Sequence, residues 1–474
     1  MKAISTAISA HGLLLKRTAS IALLGALIAL VLVALPVPRV FADDQAGLNL
    51  SLRDAVSMAE RNNETLLMAI EDEKMARGAV REAWAGALPS LTLQGTYQSN
   101  FKKPVFFLGP GDSGRIEIGG DLETQGALRL DQVLYAFGRV GSAIKFAGIY
   151  KSIASLGVEN ARSEVIFAAQ EAYYRVLLVQ KVAGIQRESL RLARSHLDQV
   201  DQKYKQGTAS RFERLRAEVE VKNREPAVIQ AENNLALSIQ DLKRVLGVDD
   251  GQDPVLTDSL TYSPTEIAED DAVAEALARR PAMLSLRLNV EGKRKLLKIE
   301  KAGMFPIISL YGQVQLQGQS ERNRPLGSFE ERNRVISSSA GLALSMPIFD
   351  GLRTLGRVRQ ARAGLRRSEY EMEQARKGIR LEVIKAVQDL ESLKREYESQ
   401  AATVGLAEET YKIAETRFRS GISTQLELSD AGTALDYART MFAETLYRHN
   451  VAAAHLDRAL GRTIQRVTDG EQER

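Results

Sequence analysis

The sequence predicts a mainly α-helical chain with a membrane β part. It reads as two tandem copies of one unit, with long coiled-coil helical hairpins and four strands that join a transmembrane barrel shared between subunits. Three observations predict it. Two halves of the chain match each other about 215 residues apart. Each half carries an apolar seam repeating every seven residues, and each carries two segments of apolar/polar alternation ahead of that seam.

The first forty-two residues have the layout of a cleaved secretion signal. Lys16 and Arg17 precede an apolar run from Ile21 to Leu35, and Pro36 and Pro38 break it. Val40-Phe41-Ala42 offers small residues where a signal peptidase reads, so Asp43 starts the mature chain. The run is shorter than the roughly 20 residues that a membrane-crossing helix needs.

Residues 43–247 form the first repeat and 266–461 the second, joined by a linker at 248–265 and followed by a polar tail at 462–474. Ala85-Gly86-Ala87-Leu88-Pro89 is matched by Ala302-Gly303-Met304-Phe305-Pro306. Leu128, Leu130, Leu134, Tyr135 and Arg139 recur as Leu342, Leu344, Ile348, Phe349 and Arg353. Tyr204 and Gly207 recur as Phe418 and Gly421, and each copy closes with Leu-Gly forty residues after that glycine, at Leu246-Gly247 and Leu460-Gly461. Spacings that agree along the whole length mark a duplication.

In each copy a first amphipathic helix is expected, over 51–88 and 266–305, stopped by proline. Two alternating segments follow. Leu91, Leu93, Gly95 and Tyr97 share one face, with Thr92, Gln94, Thr96 and Gln98 on the other. Leu122, Gly126, Leu128, Leu130 and Leu134 oppose Glu123, Gln125, Arg129 and Asp131. In the second copy Ile308, Leu310, Val314 and Leu316 oppose Ser309, Tyr311, Gln313 and Gln315, and Ile336, Ala340, Leu342 and Leu344 form the last apolar row. This period-two pattern suits membrane strands of about 9–11 residues. Tyr135, Phe137, Phe305 and Phe349 fall at one end of the strands and Phe106 and Phe107 near the other, as aromatic girdles do.

A very long helix follows, over 138–205 and 351–420. At ~1.5 Å per residue it spans about 100 Å. Its seam is Ala169, Val176, Ala183, Leu190, Leu197 and Tyr204, or Val383, Leu390, Tyr397, Val404, Tyr411 and Phe418. A seven-residue repeat implies a left-handed coiled coil. The chain reverses at Gly207 and Gly421 and returns as a helix carrying Val221, Val228, Leu235 and Leu242, or Leu428, Leu435, Phe442 and Leu456. Pro226 lies inside the first returning helix and is expected to kink it.

Charge and composition narrow the function. Lys2, Lys16, Arg17 and Arg39 stand in the signal with no acid, and they account for the whole net charge of +4. The mature chain is therefore neutral, and nucleic acid is not an expected partner. Cysteine is absent, which excludes disulfides, thiolate chemistry and a lipid-modified N-terminal cysteine. With no later transmembrane-helix run, any membrane-spanning part must be a β-barrel. Four strands cannot close a barrel around a solvent path, and open sheet edges are not tolerated in lipid, so the barrel must be shared.

At this point the chain resembles the TolC-type outer-membrane efflux proteins, from Leu50 to Gly461. The resemblance rests on Leu50-Ser51-Leu52-Arg53-Asp54-Ala55 with Ala59, Asn62 and Asn63, and on Ala-Gly-x-x-Pro before each first strand. It rests also on Pro347-Ile348-Phe349-Asp350-Gly351 and on Phe418-Arg419-Ser420-Gly421-Ile422-Ser423-Thr424 with Leu426, Leu428 and Ala431. It implies a homotrimer in outer-membrane lipid with a twelve-stranded barrel and a periplasmic α-barrel tunnel. It further implies the exit duct of a tripartite efflux pump or type I secretion system, working with a periplasmic adaptor and an inner-membrane transporter.

The resemblance places adaptor-docking tips at Gly207 and Thr208, and at Gly421, Ile422 and Ser423. It places the acidic ring of the periplasmic aperture at Glu427 and Asp430, with Glu213 as a further acidic position in the first copy. Glu427 and Asp430 are spaced i, i+3 and share a helix face, so three subunits would gather six carboxylates that draw cations. Two departures stand out. Enterobacterial members carry an Arg where Ser423 stands, and a hydrogen-bonding Tyr where Phe418 stands. Arg211, Arg214 and Arg216, on the other hairpin, are the expected alternative partners for Glu427 or Asp430.

No catalytic set appears. His196, His449 and His455 sit on helices with no second ligand spaced to join them, and His449 falls on a heptad seam as a core residue. There is no phosphate loop or nucleophile elbow, so neither an enzyme nor a cofactor or metal site is expected. The competing reading is a soluble periplasmic coiled-coil adaptor or scaffold without a pore. It accounts for the signal and the heptads but not for four alternating segments at equal positions in two copies.

Overall fold

A computed structural model describes residues 49–107, 115–248, 253–264, 267–320 and 334–462. The expected signal at 1–42 and the tail beyond Arg462 lie outside them. In chain order the elements are β1 Asn49–Leu50, α1 Leu52–Asn62, α2 Glu64–Ala85, β2 Ser90–Ser99, β3 Val105–Phe107, β4 Arg115–Glu117 and β5 Leu122–Tyr135. Next come α3 Arg139–Lys205, α4 Arg211–Leu246, β6 Val255–Leu256, α5 Glu269–Arg279 and α6 Pro281–Ala302. The chain ends with β7 Ile307–Ser320, β8 Arg334–Ser345, α7 Arg353–Arg419 and α8 Gln425–Leu460.

The first helix of each copy, expected as one, is two. Asn63 is extended (φ −66°, ψ 124°) and separates α1 from α2. Its side chain caps α2 by accepting from the Thr65 N–H at 2.9 Å, while its amide donates to the Val245 carbonyl at 2.9 Å. In the second copy the break falls at Arg280, because Pro281 disfavours helical geometry in the residue before it. The apolar period continues through both breaks, which is why it does not reveal them.

The four alternating segments form one antiparallel sheet in the order β2-β5-β7-β8. Its register aligns the apolar residues in rows across strands: Leu93, Leu128 and Val314, then Leu310 beside Leu342. The opposite face carries Thr92, Arg129, Gln313 and Ser339 in one row, and Gln94, Gln315 and Ser337 in the next. A one-residue irregularity at Leu134, between Val133 and Tyr135, ends the regular pairing of β5 at the rim. Both outer strands, β2 and β8, keep one unpaired edge among the described residues. Beyond the sheet, β3 and β4 pair as a small antiparallel hairpin that the alternation did not predict.

Each strand of the sheet continues directly into a helix, and the helices keep the order of the strands: α2 packs on α3, α3 on α6, α6 on α7. The turns into α3 and α7 use two successive left-handed residues, Phe137-Gly138 and Gly351-Leu352, at equivalent positions of the two copies. One residue of each pair is not glycine and carries a strain of about 1–2 kcal/mol.

The seam packs as expected over its upper part, while towards the tips Leu197, Val404, Tyr411 and Phe418 are half-buried and Tyr204 is exposed. Ala169, Val176, Ala183, Val383 and Leu390 are buried. Both α3 and α7 are 67 residues long, and α4 continues as a helix through Pro226. Residues 253–264 do more than connect the copies. β6 pairs in parallel with β1, and Asp258 accepts from the Leu52 N–H at 2.7 Å. The buried Tyr173 of α3 fastens this knot, its hydroxyl 2.9 Å from the Leu50 carbonyl and 2.8 Å from the Asp258 carboxylate. At the far end, Arg462 bonds Glu275 at 2.8 Å, fixing the start of the expected tail.

Candidate functional site: the hairpin tips and the bolt above them

Both reversals are made by glycine in the left-handed region, Gly207 (φ 76°) and Gly421 (φ 74°). At the first tip the Thr208 and Ala209 N–H groups return to the Lys203 carbonyl at 2.9 and 3.2 Å. At the second the Ile422 N–H returns to the Arg417 carbonyl at 2.9 Å. These bonds satisfy carbonyls that a helix end leaves free. They leave Ile422 exposed at 72% at the very end of the hairpin, with Ser423 half-buried beside it.

The acidic candidates differ in their surroundings. Glu213 closes a capping box with Ser210: it accepts from the Ser210 N–H at 2.7 Å, and its own N–H donates to the Ser210 hydroxyl at 3.2 Å. The Ser210 backbone and hydroxyl bonds hold its carboxyl below the usual glutamate range. Glu427 occupies the same helical position in the second copy, but its carboxylate accepts from the Ser423 hydroxyl at 2.5 Å. Asp430 lies one turn further along α8, and both are exposed.

The arginines do not meet these acids within one chain. Arg214 lies against α3, 3.6 Å from Asp201 and over the Tyr204 ring at 5.6 Å. Among the described residues no ion pair joins Arg211, Arg214 or Arg216 to Glu427 or Asp430. Arg214 faces its own hairpin partner, and that hairpin supplies the nearer carboxylate.

What joins the two hairpins was not visible in the sequence. Gln425, at the start of α8, is buried against α4; in the amide orientation that satisfies both partners it donates to the Glu213 carbonyl at 3.3 Å and accepts from the Ala217 N–H at 3.1 Å. Some 20 Å up the hairpin by helical rise, Arg224 of α4 forms the centre of a mostly buried polar cluster. It donates to Asp436 of α8 at 2.9 Å and to Glu220 at 3.2 Å, and contacts the Ser189 hydroxyl of α3. Ser189 in turn donates to Asp436 at 2.5 Å, and Ser429 of α8 donates to Glu220 at 3.0 Å. Burial pushes the Asp436 carboxyl up against the opposing pull of the Ser189 hydrogen bond and the Arg224 charge. Just below, the half-buried His196 meets Phe418 edge-on at 4.6 Å, and partial burial pushes its imidazole down. Among the described residues neither ring nitrogen of His196 has a hydrogen-bond partner. By contrast Arg187–Glu232 and Arg439–Glu408, both at 2.8 Å, lie within single hairpins.

His449 is buried, as its seam position predicts, and packs on Tyr262, which stacks on Tyr397 at 4.2 Å. Among the described residues no cluster of His, Asp and Glu could hold a metal ion. No helix among them is long and apolar enough to cross a membrane. At the strand ends Tyr135, Phe137 and Phe305 form an aromatic cluster with centroids 4.8 and 5.0 Å apart, and Phe349 is 82% exposed.

Comparison with known proteins agrees with this geometry. A family model described as outer membrane efflux protein matches residues 55–248 and 272–462. The chain is 27% identical to the outer membrane protein OprJ of Pseudomonas aeruginosa, over 86% of this chain and 84% of that one. It is 25% identical to the alkaline protease secretion protein AprF of the same organism, over 64% of this chain and 63% of that one. Among solved structures, the Campylobacter jejuni CmeC outer membrane channel superposes with a TM-score of 0.75 at 15% identity, covering 91% of this chain and 93% of that one.

Proposed function

The chain belongs to the outer membrane efflux protein family, and on that premise we propose that three copies close into one duct from periplasm to exterior. The family places it in the outer membrane as a channel protein rather than an enzyme. One observation carries the closure of copies into a ring, and the family supplies the number three. The four-stranded sheet and the helical wall beneath it end at the same two borders, α2/β2 on one side and α7/β8 on the other. A sheet with two bare edges is unstable in lipid, and joining β8 of one copy to β2 of the next removes both. Three copies supply twelve strands. The Thr, Gln and Ser face then lines water, and the Leu, Ile and Val face meets lipid.

The tips are the periplasmic mouth. Exposed Ile422 and the two glycine reversals offer an adaptor two small knobs per copy. Glu427 and Asp430 surround the opening and favour cations there. Widening the mouth requires α7 and α8 to move from α3 and α4, so the Arg224 cluster and Gln425 hold it shut. A periplasmic adaptor and an inner-membrane transporter complete the path for small molecules or proteins. The scaffold reading is set aside, because the alternating segments pair into one sheet and the family is one of outer-membrane proteins. The mass of the native particle, extracted by mild detergent from separated outer membranes, tests the proposal. A trimer is expected. A monomer, or protein confined to the soluble periplasm, would refute it.

A further inference from the structure

The internal repeat shows what covers the two bare helical faces. Inside the chain α3 of copy one lies on α6 of copy two, and Gly292 marks the contact: a Cβ there would sit 3.5 Å from Ile149 and 3.7 Å from Phe146. The matched positions are Met75 on α2 for Gly292, and Ala363 and Gln360 on α7 for Ile149 and Phe146. Closing β8 onto β2 of the next copy brings α7 onto α2 as α3 meets α6. It thus sets Met75 of one copy against Ala363 of another.

The residues around these two positions are complementary. On α2 the face centred on Met75 carries Glu64, Glu71, Asp72 and Glu82, with Met68, and no base. On α7 the face centred on Ala363 carries Arg359, Arg366, Arg367 and Lys377, with Tyr370, and no acid. All are exposed, Met75 at 67% and Tyr370 at 74%. The helices run antiparallel. With Met75 opposite Ala363, Asp72 is level with Arg366, Glu71 with Arg367, and Met68 with Tyr370. The intrachain pairs already present there, Glu71–Lys74 at 2.7 Å and Arg367–Glu371 at 2.8 Å, are solvent-exposed and weak enough to exchange.

We propose that this acidic face of α2 and basic face of α7 form an electrostatic seam between subunits, with Met75 seated beside Ala363 and Tyr370. The inference rests on the trimeric reading above. It explains why the copies diverge here. At the equivalent contact inside the chain the neighbours are apolar, with Ile149 and Phe146 against Gly292. It is covered as soon as one chain folds. The intersubunit seam stands in water until assembly, where an apolar strip would aggregate and a charged one does not.

Because the chain has no cysteine, Met75→Cys/Ala363→Cys provides a direct test in outer membranes. Oxidation should yield covalently linked trimer on a non-reducing gel, and neither single variant should. A native-mass trimer without the crosslink overturns the seam, whereas a native-mass monomer overturns the trimeric reading itself. A second test reverses charge. Glu71→Arg/Asp72→Arg/Glu82→Arg and Arg359→Glu/Arg366→Glu/Arg367→Glu should each lose the trimer, and their combination should regain it. Trimer retained by each set alone, or not regained by the combination of two folded sets, overturns the charge pairing.

Discussion

Replacing Arg224 with Ala should loosen the mouth of the duct, and its magnitude follows from the cluster's geometry. The side chains of Arg224, Asp436 and Glu220 are only about one-fifth exposed. Removing the guanidinium leaves two carboxylates without their cation. A hydrogen bond to a charged group is worth about 1.5–3 kcal/mol. The two losses do not simply add, because Asp436 keeps Ser189 at 2.5 Å and Glu220 keeps Ser429 at 3.0 Å. A net loss of about 2–4 kcal/mol per subunit is expected, near the range for breaking a buried ion pair. About 3 kcal/mol shifts a closed-to-open ratio roughly a hundredfold. Single-channel recording in planar bilayers should then show larger and longer openings. Arg187→Ala is the control: its pair with Glu232 is half-exposed and stays within one hairpin, so less than about 1 kcal/mol and no change in conductance are expected. Equal conductance of the two variants, both trimeric, would refute the bolt.

Glu427→Ala/Asp430→Ala should reduce cation selectivity, read as reversal potentials in a salt gradient moving toward zero. Unchanged potentials would remove these residues from the aperture. Asp436 has its pKa raised by burial, so the folded chain holds that proton more readily than the unfolded one. Its contribution to stability is present below the ordinary carboxylate value of about 3.9 and is lost as pH rises through the raised value. Asp436→Asn should flatten the melting temperature across that window, and a profile as steep as the parent's would contradict this. Gly247→Ala should be far more damaging than Gly207→Ala. Both are left-handed, which costs about 1–2 kcal/mol with a side chain, but a Cβ at Gly247 would lie 2.6 Å from the Asn62 carbonyl oxygen, whereas Gly207 faces open space. Trimer yield and melting temperature compare them.

The parts legible in the sequence are those that repeat. Alternation placed four strands and their faces because successive side chains of a strand point to opposite sides, as the aligned row of Leu93, Leu128 and Val314 shows. Heptads placed 67-residue helices to within a residue or two. What escaped was set by single contacts between distant segments. Asn63 breaks a helix by capping α2 and reaching Val245, and Asp258 in the presumed linker meets Tyr173 of α3. Neither bond has a period. The Arg224 cluster escaped for the same reason, since Arg224 and Asp436 are 212 residues apart and each reads alone as a solvated helical charge. Arg211, Arg214 and Arg216 stand nearer the tip, but proximity in sequence does not set the face, and within one chain Arg214 turns to Asp201.

Structural and functional signals overlie each other at the tips. In both copies the third residue of the returning helix is glutamate, Glu213 or Glu427. The start of a helix has unsatisfied N–H groups and favours negative charge, so such a residue needs no pore to explain it. In the first copy that account is complete, for Glu213 bonds back to Ser210 and closes the cap. In the second, Thr424 still accepts from the Glu427 N–H at 3.3 Å, but the carboxylate turns to Ser423 at the tip and stays exposed near Asp430. The copies therefore use one position in two ways, and in the proposed aperture the acidic ring would draw on the second copy alone. Glu213→Gln should cost roughly 0.3–1.5 kcal/mol of helix stability and leave ion selectivity as it was. Glu427→Gln should move selectivity with a smaller effect on melting. Equal shifts in reversal potential from the two substitutions would mean that both copies face the ion path, and that the capping box does not withdraw Glu213 from it.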